Sequence, residues 1–331
     1  MDDPLVELTP GPGVPVAPVL LRSRAALAGA WTALAPVPDR VLELAWPWRA
    51  GDELDADIRY GFYRIHERIE EAASGIARGR LATGEGPDVG PTVPILAAAT
   101  AARWELRAAV AALGEADLDR DPGGGEWTVR QTLGHIVSSQ RGYGWYNAWW
   151  LARGHAPGPL PPRAGGDPGR PFDADWDGGD KRMPELPDEE VEAVGTRAEI
   201  MARFDALVDQ GAERFATIDA KALAIPARWS GLRVDLGFRI GRLGSHIREH
   251  TIQVDKTVAL VGRPTTEVER LVRLIGASYG RLEALVFARS AETLAAPFPD
   301  GGSAEAILDG CAAEVGELGA SIARAAERAG A

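Results

Sequence analysis

The chain has 331 residues, enough for one large domain or about two ordinary ones. Lys plus Arg number 36 against 48 Asp plus Glu, and the formal net charge of −12 argues against a general binder of phosphate backbones. A hydrophobic content of 45% excludes wholesale disorder, and the single cysteine, Cys311, excludes an internal disulfide or a thiolate metal cluster within one chain. The opening residues MDDPLVELTP lack a basic region followed by an apolar run, and no apolar stretch approaches the ~20 residues of a membrane helix, so a soluble cytoplasmic protein is expected.

Ala, Leu, Arg and Glu dominate the long segments, with Gly and Pro between them, and the apolar spacing is mostly helical. Residues 1–19 are Pro-rich and read as extended. Leu20 to Leu34 forms a helix ended by Pro36 and Pro38, and 37–53 is a turn region holding Trp46-Pro47-Trp48. Asp55 to Arg78 reads as a long helix with Ile58, Phe62, Ile65 and Ile69 on one stripe, followed by a linker over 79–94. Ile95 to Leu113 is helical, a turn holds Gly123-Gly124-Gly125, and Thr128 to Leu151 is the next helix. A long Pro/Gly/Asp loop over 154–188 has the length of a functional loop or lid. Glu189 to Ile218 reads as one helix and 221–234 as an irregular connection. The helices Leu236–Val261, Thr266–Phe287 and Ser303–Ala329 complete the set. The fold class is all-α, with roughly eight helices and no convincing alternating strands.

A faint internal repeat runs through this order. Trp127 precedes Gly134-His135 by the same spacing that separates Ser303 from Gly310-Cys311, each after a Gly-containing turn. It suggests a second, degenerate bundle, without the chemistry, in which the first and last helix pairs pack together; two unrelated amphipathic helices after Gly-rich turns would give the same spacing.

The five histidines are His66, His135, His155, His246 and His250. His246 and His250 are four apart on a helix, on one face with β-carbons ~5–6 Å apart, and two such imidazoles can reach one ion at ~2.0–2.1 Å. The motif lacks the Glu directly after the first His that marks zinc peptidases; here the Glu is Glu249. A bundle can bring His135 opposite that face, which gives three neutral nitrogen ligands and open positions for water or substrate. The alternative is three satisfied polar residues near helix surfaces.

Trp127-Thr128-Val129-Arg130 leading to Leu133-Gly134-His135, followed by His246-Ile247-Arg248-Glu249-His250-Thr251-Ile252-Gln253, resembles the DinB/YfiT-like superfamily of metalloenzymes. It is similar to the mycothiol-dependent maleylpyruvate isomerases and mycothiol transferases within it. The resemblance covers roughly Ile95 to Val261. It implies a four-helix bundle with a long crossover, here 95–262, and the metal ligands His135, His246 and His250. Residues 1–94 and 263–331 lie outside it and form terminal helical segments that pack together. It further implies a divalent cofactor and a low-molecular-weight, mycothiol-like thiol as cosubstrate, activated as thiolate for attack on an electrophilic small molecule in a transferase or isomerase reaction. Zinc is first by ligand type, with nickel, iron and manganese also compatible. A metal hydrolase activating water, and a non-catalytic metal- or ligand-binding module, are the alternatives. The partner is a small-molecule substrate, with no nucleic acid or membrane, and the chain acts as a monomer or homodimer.

Around such a centre the candidate catalytic residues are Glu249, Gln253 and Arg141. Glu249 and Gln253, with Ser138 or Ser139, are candidates to orient the histidines, with a solvent-facing charge the competing reading of Glu249; Arg141 and Arg248 could hold an acidic substrate or serve as ordinary surface charges. Trp145 and Trp149, in the aromatic run with Tyr143, Tyr146 and Trp150, are the candidate cofactor-binding residues; core packing is the competing reading. Asp173 to Gly178 resembles half a calcium loop, but Pro184 stands where its closing Glu belongs. His66 reads as a packed helix residue, His155 as a loop acid/base, and Cys311 as inert core.

Overall fold

The computed structural model describes residues 13–48, 56–84, 90–154, 186–229 and 232–330. Among them the elements in chain order are α1 (Pro18–Leu34), α2 (Ile58–Ala82), α3 (Val93–Val110), α4 (Glu115–Leu118) and α5 (Val129–Gly154). Then come α6 (Glu189–Glu192), α7 (Arg197–Phe215), α8 (Ala220–Leu223), β1 (Pro226–Trp229) and β2 (Leu232–Asp235). The chain continues through α9 (Leu236–Leu260), α10 (Glu267–Ala284), α11 (Ala291–Ala295) and α12 (Ala304–Gly330). Among the described residues the fold is all-α apart from the antiparallel pair β1–β2, in which Pro226 faces Asp235 and Trp229 faces Leu232.

Two expected segments differ. The helix expected over Glu189–Ile218 is broken in two. Gly195 takes φ +105°, a conformation L side chains rarely adopt, and Thr196 restarts the chain as the cap of α7 in a reciprocal capping box with Glu199. The connection expected to be irregular over 221–234 holds α8 and most of the strand pair. His155 and the Asp173–Gly178 run lie outside the described residues.

The first bundle is a ring of α3, α9, α5 and α7. α3 and α9 run parallel, since Ile95 lies against Gly241, Ala99 against Gly244, and Glu105 pairs with Arg248. α5 runs opposite to α9: Thr257 donates to the Trp127 carbonyl at 3.0 Å and Gln140 to that of Leu243 at 2.8 Å. α7 runs opposite to α3, shown by the pairs Arg107–Asp205 and Arg103–Asp209. Because α5 and α7 therefore point the same way, the chain between them must return the full length of the bundle, which is the long crossover. The core is the inward set Leu96, Leu106, Leu133, Ile136, Phe204, Phe215, Ile240 and Ile247, all buried.

The second bundle is a ring of α10, α2, α12 and α1. The α2 stripe Ile58, Phe62, Ile65, Ile69 and Ile76 is fully buried, as its spacing predicts. α2 runs with α10, through Arg59–Glu267 at one end and Arg80 bonded to the Leu285 carbonyl at the other. It runs against α12, with Arg68 on Glu314 and Gly61 under Ile322. α1 runs with α12, with Arg22 on Asp309 and Ala30 against Gly319.

The bundles meet along α3 and α10, which cross antiparallel at small residues: a Cβ on Gly276 would stand 2.7 Å from that of Ala108, and one on Gly280 3.2 Å from the Ala101 carbonyl. Beside this seam lies a buried ionic cluster. Glu283 is fully buried, accepts from Thr100 at 2.6 Å and Trp104 at 3.0 Å, and pairs with Arg103 and Arg24. Both arginines also reach Asp209 at 2.7 Å. Burial opposes the Glu283 charge, but Arg103 and Arg24 win and hold the carboxyl at about 2. No helix among the described residues is long and apolar enough to cross a membrane.

Candidate metal centre

His135 sits two turns into α5, and His246 and His250 one turn apart on α9; the antiparallel packing of these helices brings the three rings together. The Nε2 atoms of His135 and His246 are 3.3 Å apart and those of His250 and His246 3.0 Å. One ligand nitrogen from each of the three lies within 4.8 Å of the others. Ligands bound at ~2.0–2.1 Å around one ion stand roughly 2.9–3.4 Å apart, so these spacings fit a shared cation.

The outer nitrogens decide which atoms face inward. Nδ1 of His135 meets Glu189 Oε1 at 2.6 Å, and Nδ1 of His250 meets Gln253 Oε1 at 2.7 Å. An oxygen acceptor on Nδ1 puts the ring proton there and leaves the Nε2 lone pair turned to the centre. A cation between the rings would be held by these lone pairs; a proton on His246 Nε2 would meet one of them at a time. Burial, then the neighbouring imidazoles of His250 and His135, push His246 down to about 3, and burial also lowers His250. Both are neutral and ligand-competent at neutral pH. His246 Nδ1 is buried with no hydrogen-bond partner among the described residues, so its tautomer is not fixed in this way.

Glu189 carries no motif of its own in the sequence. It lies on the returning end of the crossover, which sits directly on α5 because residue 134 is glycine: a Cβ there would strike the Glu189 carbonyl and approach the Ala193 Cβ to 2.7 Å. Arg130 bonds the Gly195 carbonyl at 2.6 Å and Arg203 that of Glu192 at 2.8 Å, clamping this segment. Only the glycine beside His135 hints at it in the sequence.

The other expected residues lie as follows. Gln253 is on His250. Glu249 faces solvent, paired with Arg242 at 2.5 Å, and that hydrogen bond holds its carboxyl below the usual range. Arg141 bonds the buried Glu192 at 2.7 Å, and Arg248 bonds Glu105 on α3 at 3.2 Å. Ser139 Oγ is 3.5 Å from His135 Nε2, while Ser138 reaches the Pro187 carbonyl at 3.4 Å. Trp145 and Trp149 are buried in the first core, stacked with centroids 6.3 Å apart. The aromatics that touch the histidines are Trp127, 5.0 Å from His135, and Tyr143, 5.1 Å from His246. Burial raises the Tyr143 phenol, so it stays protonated. Tyr143 in turn meets Trp229 at 5.1 Å, over which Arg242 lies at 5.0 Å.

Away from this centre, His66 bonds Ser278 at 2.6 Å, and Cys311 is buried with its thiol pushed up to about 11 by burial, which keeps it unreactive.

An up–down–down–up helical bundle with three convergent imidazoles defines a candidate metal-binding protein. Residues 98–254 match the family model of the DinB superfamily, which supports assigning this bundle to that superfamily. No curated protein and no solved structure matches the chain.

Proposed function

We propose that the protein is a metal-dependent transferase or isomerase that uses a low-molecular-weight thiol, of the mycothiol kind, against an electrophilic small molecule. The observation that carries the metal half is the pair of Nδ1 acceptors, Glu189 and Gln253, which turn two Nε2 lone pairs toward the third histidine. A divalent ion held there, zinc first by ligand type, supplies a positive charge that favours the ionised form of a thiol. The thiol half is supported by superfamily membership together with the likeness of the motifs around His135 and His246 to thiol-dependent members.

The chain's own residues do the positioning. Glu189 and Gln253 fix two rings, and their hydrogen bonds raise the donor strength of the inward nitrogens. Trp127 and Tyr143 wall the rings with apolar surface, which limits access of water and strengthens charge interactions at the centre. Arg141 is engaged by Glu192, so we assign it to holding the crossover end against α5.

Metal analysis of the purified protein, followed by turnover of electrophiles with and without added thiol, tests this reading. One divalent ion per chain and turnover that needs the thiol are expected. A chain without metal overturns the centre, and thiol-independent hydrolysis overturns the thiol assignment.

A further inference from the structure

The two bundles have the same wiring once the second is read in a different chain order. The ring α3, α9, α5, α7 of the first becomes α10, α2, α12, α1 in the second, with every relative direction retained. The late helices α10 and α12 then stand for α3 and α5, and the early helices α1 and α2 for α7 and α9.

Local details agree at a level that shared bundle architecture does not require. Asp57 caps α2 through the Tyr60 amide and Asp235 caps α9 through the Phe238 amide, each at 2.7 Å. Each cap is bridged antiparallel to an upstream residue, Ala45 for Asp57 and Pro226 for Asp235. Three residues beyond that bridge stands a tryptophan, Trp48 or Trp229. Over each lies an arginine seven residues past the cap, Arg64 at 4.7 Å and Arg242 at 5.0 Å. Against each packs the aromatic three past the cap, Tyr60 at 5.8 Å and Phe238 at 6.5 Å, both edge-on. On the facing helix, Thr128 and Ser303 are the matching caps, each accepting the amide three residues on.

Counting from these caps, Arg68 and Ala72 fall at the places of His246 and His250, and Gly310 at that of His135. The sequence repeat that aligned Cys311 with His135 is therefore one residue out of register. Contacts confirm the alignment. Arg68 Nε pairs at 2.7 Å with Glu314, the counterpart of Ser139, and a Cβ on Gly310 would stand 3.8 Å from Arg68 Nη2.

We propose that the second bundle is a permuted copy of the first, and that the groove between α2 and α12 is the counterpart of the metal centre, rebuilt so that the Arg68 guanidinium supplies a fixed positive charge in place of an exchangeable cation. All three ligand positions are altered together, and Glu71 and Glu314 hold the guanidinium, at 2.8 and 2.7 Å. The groove remains open, about 880 Å³, lined by Trp48, Arg64, Arg68, Glu317 and Arg324.

The test restores the ligands in the full chain. Zinc binding is compared in the variants R68H/A72H and R68H/A72H/G310H, with the wild type titrated alongside. A second zinc equivalent in the triple variant, bound at least ~10-fold tighter than in the pair variant, is expected because a third imidazole joins an i,i+4 pair. Equal affinity in the two variants, or no second equivalent in a triple variant of wild-type helical content, overturns the proposal. If the triple variant does not fold, Gly310→Cys replaces Gly310→His. A cobalt–thiolate charge-transfer band present in R68H/A72H/G310C and absent from R68H/A72H then supports the proposal, and its absence overturns it. A wild-type chain without metal counts against the proposed function only, since the rebuilt site is read from the difference between variants.

Discussion

At residue 246 the first bundle carries an imidazole facing two others; at the matching place the second carries Arg68, tied to two carboxylates. The scaffold beside those places is alike: the aspartate cap, the bridged upstream residue, the tryptophan and the arginine above it. What both bundles keep must serve the architecture, since only one of them has the imidazoles. The Trp229–Arg242 stack, beside the three histidines, is by this comparison a clasp between the strand and α9 before it is anything chemical. What differs is chemistry: three ligand positions, and the Glu189 contact, which has no partner in a bundle whose corresponding helices, α12 and α1, are not joined in sequence.

The comparison can be broken at its shared seam first. Glu283→Gln leaves Arg103 and Arg24 with one fewer buried counter-charge and should cost about 3–5 kcal/mol of unfolding free energy at neutral pH, measured by urea denaturation. The same residue sets an acid limb. Its folded carboxyl lies at about 2, below its ordinary 4.5, so its contribution is complete above pH 4.5 and is lost as pH falls from there through 2. A plot of stability against pH should show that loss in the wild type and a shallower slope in the variant.

Next in size is the contrast between the two sites. His246→Ala should weaken metal binding by more than the ~10–100-fold typical of losing an outer partner, while Arg68→Ala should leave metal content unchanged. Equal effects would erase the distinction drawn between the bundles. Glu189→Ala should cost about 10–100-fold in metal affinity with the helical content intact, as read by a competing chelator. The smallest effects compare two glycines. Gly134→Ala should destabilise by about 1–3 kcal/mol, because its Cβ meets the crossover backbone. Gly310→Ala, with open space around it apart from the Arg68 guanidinium, should stabilise by up to ~1 kcal/mol through helix propensity. Thermal melts of both variants give the comparison.

Much of this was legible in the residues themselves. The helix stripe from Ile58 to Ile69 and the pair His246/His250 are local patterns, set by the 3.6-residue turn, and each stands where its spacing puts it. Glu189 was not legible, because its bond to His135 spans 54 positions and depends on how the crossover settles against Gly134. The break at Gly195 was hidden inside a run of good helix formers, where only the glycine's positive φ decides. The register of the repeat turned on which residue caps α12. Spacing alone favoured Cys311, whereas the hydrogen bond from the Ala306 amide to Ser303 fixes the count on Gly310.

The permuted order also governs assembly in time. During synthesis α1 and α2 emerge before the whole of the first bundle, yet they bury their stripes against α10 and α12, across gaps such as the 287 positions between Arg22 and Asp309. The earliest helices therefore wait, apolar faces unmatched, until almost the entire chain has been made, while the four helices of the first bundle follow one another in sequence. A nascent chain whose residues through about 265 have left the ribosome should carry the four helices of the first bundle and two orphan helices, which makes that interval the one in which a chaperone has most to shield.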